Sequence, residues 1–323
     1  MQQFMSTPQA AARHLHQGGL VVMPTETVYG LAANAGDAAA VAQVFAAKGR
    51  PVFDPLIVHI ADAAAAWRVA VPNPQAEALA AAFWPGPLTL VLPRRPGVIA
   101  DLVNSGLDTV AVRCPQHPLA LELLRLSDLP LAAPSANLFG RISPTTIEHV
   151  ADQFAEHGAL LLDGGPCRVG IESTVLTWIP HPVILRPGGI SAEALAPYLG
   201  GPPPVLVKPP QGAIVAPGLL ASHYAPRKSL HWIPENQPWP AGAQWGVLAF
   251  GSDAPPLYPQ VGGVGAVENL SPESDLVAAA SRLFAAMRRL DAGPAQQLIA
   301  RPLPAHGLGV AINDRLRRAA GLG

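Results

Sequence analysis

Residues 200–226 read GGPPPVLVKPPQGAIVAPGLLASHYAP and hold seven prolines. Each proline fixes φ and removes a backbone donor, so neither a regular helix nor a central strand can run through the stretch. Such a segment is an extended, semi-rigid connector, longer than an ordinary loop. It divides the chain into residues 1–200, a connector over 201–231 and a C-terminal part over 232–323. The parts on either side of the connector must each bury their own apolar surface.

Before the connector, helical patterns alternate with short apolar runs. Thr7-Pro8 opens a helix to Gln17 that stops at Gly18-Gly19, with proline inside the start and glycine past the end. Asp37 caps AAAVAQVFAAK, which Gly49 stops, and Asn73-Pro74 opens a helix ending near Trp84. Further helices are predicted over His117–Leu126 and Thr145–Phe154, and Ser191 caps a last short one. Predicted strands are Leu20–Met23, Leu56–Ile60, Leu88–Leu92, Thr109–Arg113, Pro130–Ala133, Ala159–Leu162, Ser173–Trp178 and Val183–Leu185. Strands joined by both helices and tight turns imply a twisted, mixed α/β sheet rather than a pure doubly wound one. Beyond Trp232 the pattern is a strand at Trp245–Phe250, a helix from a Ser271-Pro272 cap to Leu290, a strand at Gln297–Ala300 and a helix from Gly309 to Arg318. That is a small three-layer α/β domain.

Composition excludes several classes. The most apolar stretch, Ala78–Leu92, is cut by Pro85, Gly86 and Pro87, which argues against a membrane span. MQQFMSTPQAAARH lacks the basic start and apolar core of a signal peptide. Cys114 and Cys167 stand without a C-x-x-C or paired histidine spacing, so a reduced, cytoplasmic protein with neither zinc nor a disulfide framework is expected. A net charge of −1 leaves direct RNA binding weak or absent. Neither a Walker A loop nor G-x-G-x-x-G is present; Gly263-Val-Gly265 and Gly307-Leu-Gly309 lack the third glycine.

Several segments place polar groups beside apolar strands. Pro24-Thr25-Glu26-Thr27-Val28-Tyr29-Gly30 reads either as a helix start with capping threonines or as a site loop. Lys48-Gly49-Arg50-Pro51 puts cations where they complement a helix dipole, with His59 on the next strand. Pro134-Ser135-Ala136-Asn137 alone is a polar turn. Arg113 ends the strand TVAVR and needs a partner, either a structural carboxylate or an anionic ligand. Glu172-Ser173-Thr174 and Leu185-Arg186-Pro187-Gly188 repeat the arrangement.

In order, PTETVYGLA, KGRP, DPLIVHI, WPGPLTLVL, LDTVAVRCP, APSANLFGRISPT, DGGP, GIESTV, ILRPGG and SHYAP resemble the threonylcarbamoyl-AMP synthase family in its long form. The resemblance implies a YrdC-like catalytic domain, a linker that closes over it and a smaller Rossmann-like domain. It implies that L-threonine and bicarbonate form an N-carboxylate whose oxygen displaces pyrophosphate from ATP, with Mg2+ present. The product would pass to a tRNA threonylcarbamoyl-transfer complex that modifies position 37 of tRNAs reading ANN codons. By the same resemblance Lys48, Arg50, Ser135 and Asn137 are catalytic. Arg50, Asp54, Thr109, Ser135, Ser143, Arg186 and Tyr224 contact ATP. Thr27, His59, Arg113, the Ala133 backbone and Ser173 contact threonine. Asp54 departs from the asparagine of many relatives, which leaves it to repel a triphosphate, help hold magnesium or point away. No metal ligand is assigned to the protein. His59, His117 and Cys114 lack zinc spacing.

Overall fold

The computed structural model describes residues 5–150, 153–179, 181–206, 223–235, 237, 244–252 and 264–322. The chain divides into two compact units. The first comprises Met1–Phe139, Pro144–Arg168 and Glu172–Leu219; the second comprises Gly140–Ser143, Val169–Ile171 and Leu220–Gly323.

The first unit is built on nine strands: β1 (Val21–Met23), β2 (Gly30–Asn34), β3 (Ile57–His59), β4 (Leu88–Pro93), β5 (Thr109–Arg113), β6 (Leu131–Ala132), β7 (Leu160–Leu161), β8 (Thr174–Thr177) and β9 (Val183–Arg186). They pair in the order β7-β1-β2-β6-β3-β5-β4-β8-β9. The β3–β5 and β4–β8 pairs are parallel, whereas β4–β5 and β8–β9 are antiparallel, so the sheet is mixed as expected.

Successive side chains of a strand point to opposite faces. One face sends Val22, Leu31, Val58, Leu90, Val112, Leu176 and Ile184 into the main core. There they meet α2 (Ala38–Lys48), α3 (Ala63–Val69), α4 (Pro74–Phe83) and α6 (Ala192–Leu199) through residues such as Val44, Phe45, Ala66, Leu79 and Leu195. The opposite face is covered over β1, β2 and β6 by α1 (Pro8–His16) and α5 (Pro118–Ser127), whose Leu15, Leu123 and Leu124 pack on Val21, Met23 and Leu131. Over β3, β5, β4 and β8 that same face carries Ile57, Val91, Ala111 and Val175, interleaved with the polar groups described below. Helix ends follow local chemistry: the Asp37 carboxylate accepts from the amides of Ala39 and Ala40, and Gly49 closes α2 in the left-handed region.

The second unit holds a four-stranded, all-parallel sheet in the order β10 (Leu230–Trp232), β13 (Gln297–Ala300), β11 (Trp245–Ala249), β12 (Val264–Asn269). Against it pack α7 (Leu276–Ala292), through Leu283, Phe284, Met287 and Leu290, and α8 (Leu308–Ala319), through Ile312 and Leu316. Most of the connector, residues 207–222, lies outside the described residues. Among the described residues no helix is long and apolar enough to cross a membrane.

Six elements differ from expectation, two of them the unforeseen strands β10 and β12 of the second unit. GLAAN forms β2 although it holds no β-branched residue, because pairing with β1 and β6 overrides its weak propensity. A short helix, α3, forms where none was foreseen, capped by Asp62. Thr145–Phe154 is not an α-helix: 3-10 turns occupy Ile147–His149 and Ala155–His157. The Thr145 carbonyl is taken by the Cys167 amide at 2.8 Å, and its own amide donates to the His149 ring at 3.2 Å, so the first helical bond is lost. Helix α7 starts one turn later than Ser271-Pro272, because Asp275 is its cap while the Ser271 hydroxyl accepts from the Asp275 amide.

The ILRPGG turn lies against the GIEST segment at van der Waals contact. A Cβ at Gly188 would come within 2.3–2.5 Å of backbone atoms of Glu172, Ser173 and Thr174. Gly188→Ala is therefore expected to destabilise the first unit by about 2–3 kcal/mol in urea unfolding. A change below about 0.5 kcal/mol would show that the turn can move away freely.

Candidate active site

The register of β3, β5, β4 and β8 collects most of the candidate residues on one face. Ile57 pairs with Ala111 and His59 with Arg113 in parallel, Val91 opposes Ala111, and Thr89 lies beside Val175. By alternation, Thr109, Ala111 and Arg113 share a side with Ile57, His59, Thr89, Ser173 and Val175. Thr109 and Arg113 are four residues apart on β5, so they mark two ends of the face about 13 Å apart.

At one end the basic motif after α2 folds inward. Lys48 is buried, and its ammonium donates to the carbonyl of Ser135 at 2.6 Å and to that of Asn137. Burial, and after it the nearby Arg50, lower the Lys48 pKa well below the ordinary lysine value, while Asp54 opposes them. Arg50 donates to the carbonyls of Asp54 and Pro55 at 3.0 and 2.9 Å and stacks over Phe139. It forms an ion pair with the Asp54 carboxylate at 2.9 Å, a contact without hydrogen-bond alignment. Asp54 is fully buried. Burial raises its pKa, and Arg50, Arg186 and Lys48 pull it back down. Asp54 therefore points into the basic cluster and neutralises part of it. Three basic side chains around one carboxylate leave an excess of positive charge at this end.

At the other end Arg113 is paired with Glu26 at 2.7 Å, both nearly inaccessible. The second oxygen of Glu26 accepts from the Gln116 amide, and Arg113 Nε donates to the Gly86 carbonyl at 3.3 Å. The partner demanded by Arg113 is thus a carboxylate from the β1–β2 loop. That loop is no helix start: Thr25 ties its hydroxyl to Thr27 at 2.8 Å and to the Val28 carbonyl at 2.6 Å, holding Glu26 inward. Arg113 Nη1 makes no hydrogen bond among the described residues. Beside it, His59 is buried with Nδ1 unpartnered, and burial together with Arg113 lowers its pKa to about 3. Its ring is neutral at physiological pH.

Ser173 bridges the face. Its hydroxyl meets that of Thr89 at 2.7 Å, and Arg186 donates to its carbonyl at 3.0 Å and its hydroxyl at 3.2 Å. Ala133 donates its amide to the Ile57 carbonyl at 3.0 Å, and Ser135 pairs with Gly30. Lys48, Arg50, Asp54, Thr27, His59, Thr109, Arg113, Ala133, Ser135, Asn137, Ser173 and Arg186 all belong to the first unit, whereas Ser143 and Tyr224 belong to the second. Tyr224 is buried there, stacked on Phe284 at 5.5 Å with Arg315 over its ring, at φ 66. Sequence reasoning assigned no role to Glu26 and Thr89, although the lone hydroxyl in LTLVL and the acid in TET were the available signals. Among the described residues no group of three His, Cys, Asp or Glu side chains is placed to hold a metal ion.

The face thus carries a basic cluster at one end and a clamped arginine beside a neutral histidine at the other. The comparisons give the family. The family described as Telomere recombination (Sua5, YciO, YrdC) matches residues 13–188, and the one described as Threonylcarbamoyl-AMP synthase, C-terminal domain, matches residues 190–321. Threonylcarbamoyl-AMP synthases of Bacillus subtilis and Pyrococcus abyssi are each 42% identical over 96% of this chain, covering 92% and 93% of their own lengths. The crystal structure of P. abyssi Sua5 complexed with L-threonine superposes with a TM-score of 0.85 at 37% identity, over 98% of this chain and 94% of that one. The chain belongs to the threonylcarbamoyl-AMP synthase family, a family of enzymes.

The His59 environment has a pH consequence. Its folded-state pKa of about 3 lies below the ordinary 6.5, so between those values the unfolded chain binds the extra proton. Stability from this group is complete above pH 6.5 and falls by ~1.4 kcal/mol per unit below it. The unfolding free energy of wild type minus that of His59→Gln is expected to drop by about 2 kcal/mol from pH 7 to pH 5. A difference that does not change with pH would mean the ring can be protonated in place.

Proposed function

We propose that this chain makes L-threonylcarbamoyl-AMP from L-threonine, bicarbonate and ATP. The observation that carries this reading is the two-ended face: cations around Asp54 at one end, and about 13 Å along β5 an arginine with a free Nη1 beside a neutral imidazole. The P. abyssi relative crystallised with L-threonine supports an amino acid as one of the substrates.

Arg113, locked by Glu26 and Gly86, turns Nη1 to the threonine carboxylate; a guanidinium is suited to that planar partner. Thr27, Ser173 and the Ala133 backbone complete the threonine contacts. Neutral His59 accepts a hydrogen bond from the substrate's ammonium or hydroxyl without adding a second positive charge, and the ammonium loses its proton to solvent. The freed amine attacks the carbon of bicarbonate, and water leaves, giving the N-carboxylate. Its oxygen then attacks the α-phosphorus, and the bond to the bridging oxygen breaks to release pyrophosphate. Threonine, bicarbonate and ATP thus become threonylcarbamoyl-AMP, pyrophosphate and water.

Arg50 and Arg186 face the phosphates, with Asp54 fixing Arg50. Thr109, at the start of β5, takes part of the rest of the nucleotide. Lys48 organises Ser135 and Asn137 through their carbonyls, so that the S-x-N turn presents its polar groups to the phosphates. Magnesium enters as part of the MgATP substrate. Such transfer needs positioning and charge stabilisation rather than a protein nucleophile, and both thiols are buried with their pKa values pushed up to about 12. The mixed anhydride then passes in the cytoplasm to a separate transfer complex that modifies position 37 of tRNAs reading ANN codons.

Pyrophosphate release from ATP is expected to require both threonine and bicarbonate. Arg50→Ala should lower kcat/KM by about 30- to 1000-fold. Arg113→Lys should raise KM for threonine far more than KM for ATP, because a point charge cannot replace the fork. Wild-type turnover indifferent to threonine would overturn the proposal.

A further inference from the structure

Asp54 is the buried charge of the first unit that local packing explains least. Its side chain is fully buried, yet neither carboxylate oxygen accepts a hydrogen bond. A carboxylate taken out of water ordinarily persists because directional bonds offset its lost hydration. Here the 2.9 Å contact with Arg50 Nη2 offers attraction without that alignment. Lys48, Arg50, Asp54 and Arg186 all belong to the first unit, so the cluster lies wholly within it.

Asp54 fixes Arg50 through its main chain, not through its carboxylate. Arg50 Nε donates to the Asp54 carbonyl at 3.0 Å and Nη2 to the Pro55 carbonyl at 2.9 Å, and both bonds survive any side-chain change at position 54. The same guanidinium lies over Phe139, whose amide donates to the Lys48 carbonyl at 2.9 Å. Arg186 is anchored on the carbonyl and hydroxyl of Ser173, and Lys48 on the carbonyls of Ser135 and Asn137. Each cation is thus positioned by groups other than the Asp54 side chain. What that side chain adds is one negative charge, and in a buried setting a charge acts strongly over several ångströms. Burial raises its pKa, while Arg50, Arg186 and Lys48 all act on it in the opposite direction.

We propose that Asp54 tunes the charge of the polyphosphate end so that pyrophosphate can leave after the transfer. The groups that hold the β- and γ-phosphates of ATP also hold the pyrophosphate they become. A cluster of uncompensated buried cations would therefore grip the product as firmly as the substrate. A fixed counter-charge weakens both complexes, and turnover gains wherever release limits it. The inference rests on the reading of the basic cluster as the end that takes the phosphates of ATP.

The test is calorimetric titration of inorganic pyrophosphate, with and without magnesium, together with steady-state turnover under added pyrophosphate. Wild type, Asp54→Asn and Arg50→Ala are compared. Asp54→Asn is expected to bind metal-free pyrophosphate about tenfold more tightly and to be inhibited by it about tenfold more strongly. Its KM for ATP and its kcat should fall together, while Arg50→Ala binds pyrophosphate more weakly than wild type. A carboxylate that served only to orient Arg50 would give the opposite sign. Weaker or unchanged pyrophosphate binding in a folded Asp54→Asn would therefore overturn the proposal. So would a loss of affinity confined to the magnesium complex, because it would make Asp54 a metal-facing group. If Asp54→Asn does not fold, Asp54→Ser decides by the same criterion. A wild type that binds pyrophosphate but turns over ATP without threonine would sink the functional reading and leave the Asp54 comparison valid. Threonine-dependent turnover with no pyrophosphate binding in either wild type or variant would refute the role of Asp54 alone.

Discussion

The pairing register of β3, β5, β4 and β8 is the constraint on which the rest depends. A strand has only two faces, and here one is committed to the core through Val58, Val112, Leu90 and Leu176. Every residue between them must therefore lie on the other side. A slip of one residue would carry Arg113 and His59 into the helical core and Val112 out of it. The apolar half of each strand thus specifies the site as strictly as the polar half does. Burial fixes the register, and the register fixes where the charges stand.

Those charges are costly to keep. Glu26, Lys48, Arg50, Asp54, His59, Arg113 and Arg186 are all buried. Each is held by main-chain carbonyls, an ion pair or neutrality, because an isolated buried charge would not survive in the folded state. The arrangement is specific in kind. Lys48 satisfies its ammonium on two carbonyls rather than on a carboxylate. Arg113 gives one Nη to Glu26 and retains another. The face is stabilised through contacts that leave one Arg113 donor available, so preorganisation and stability coexist there.

Much of this was legible in the sequence. PLIVH and TVAVR gave strands with the correct polar termini, Asp37 and Gly49 bounded α2 as read, and the order of motifs named the family before any coordinates. What escaped was whatever depended on distant partners. Nothing near Arg113 announces that its counter-ion lies 87 residues earlier, in a loop whose threonines also read as a helix start. Helix formation over Thr145–Phe154 was defeated by Cys167, which takes the carbonyl the first turn required. GLAAN has no strand propensity and pairs only because both its neighbours do. Lys48 was found by motif order, yet that its ammonium is engaged by two carbonyls required the fold. The inclusion of Gly140–Ser143 and Gly170 in the second unit follows from a packing geometry that no local pattern encodes.

The most direct examination of the central claim is a crystal structure with ATP, or a non-hydrolysable analogue, and L-threonine bound together. The account requires the amino-acid carboxylate on Arg113 Nη1 and the phosphates toward Arg50 and Arg186, with the threonine nitrogen turned to the α-phosphorus. Density for either ligand away from this face of the sheet, for example in the groove along Leu121 and Arg125 of α5, would contradict it.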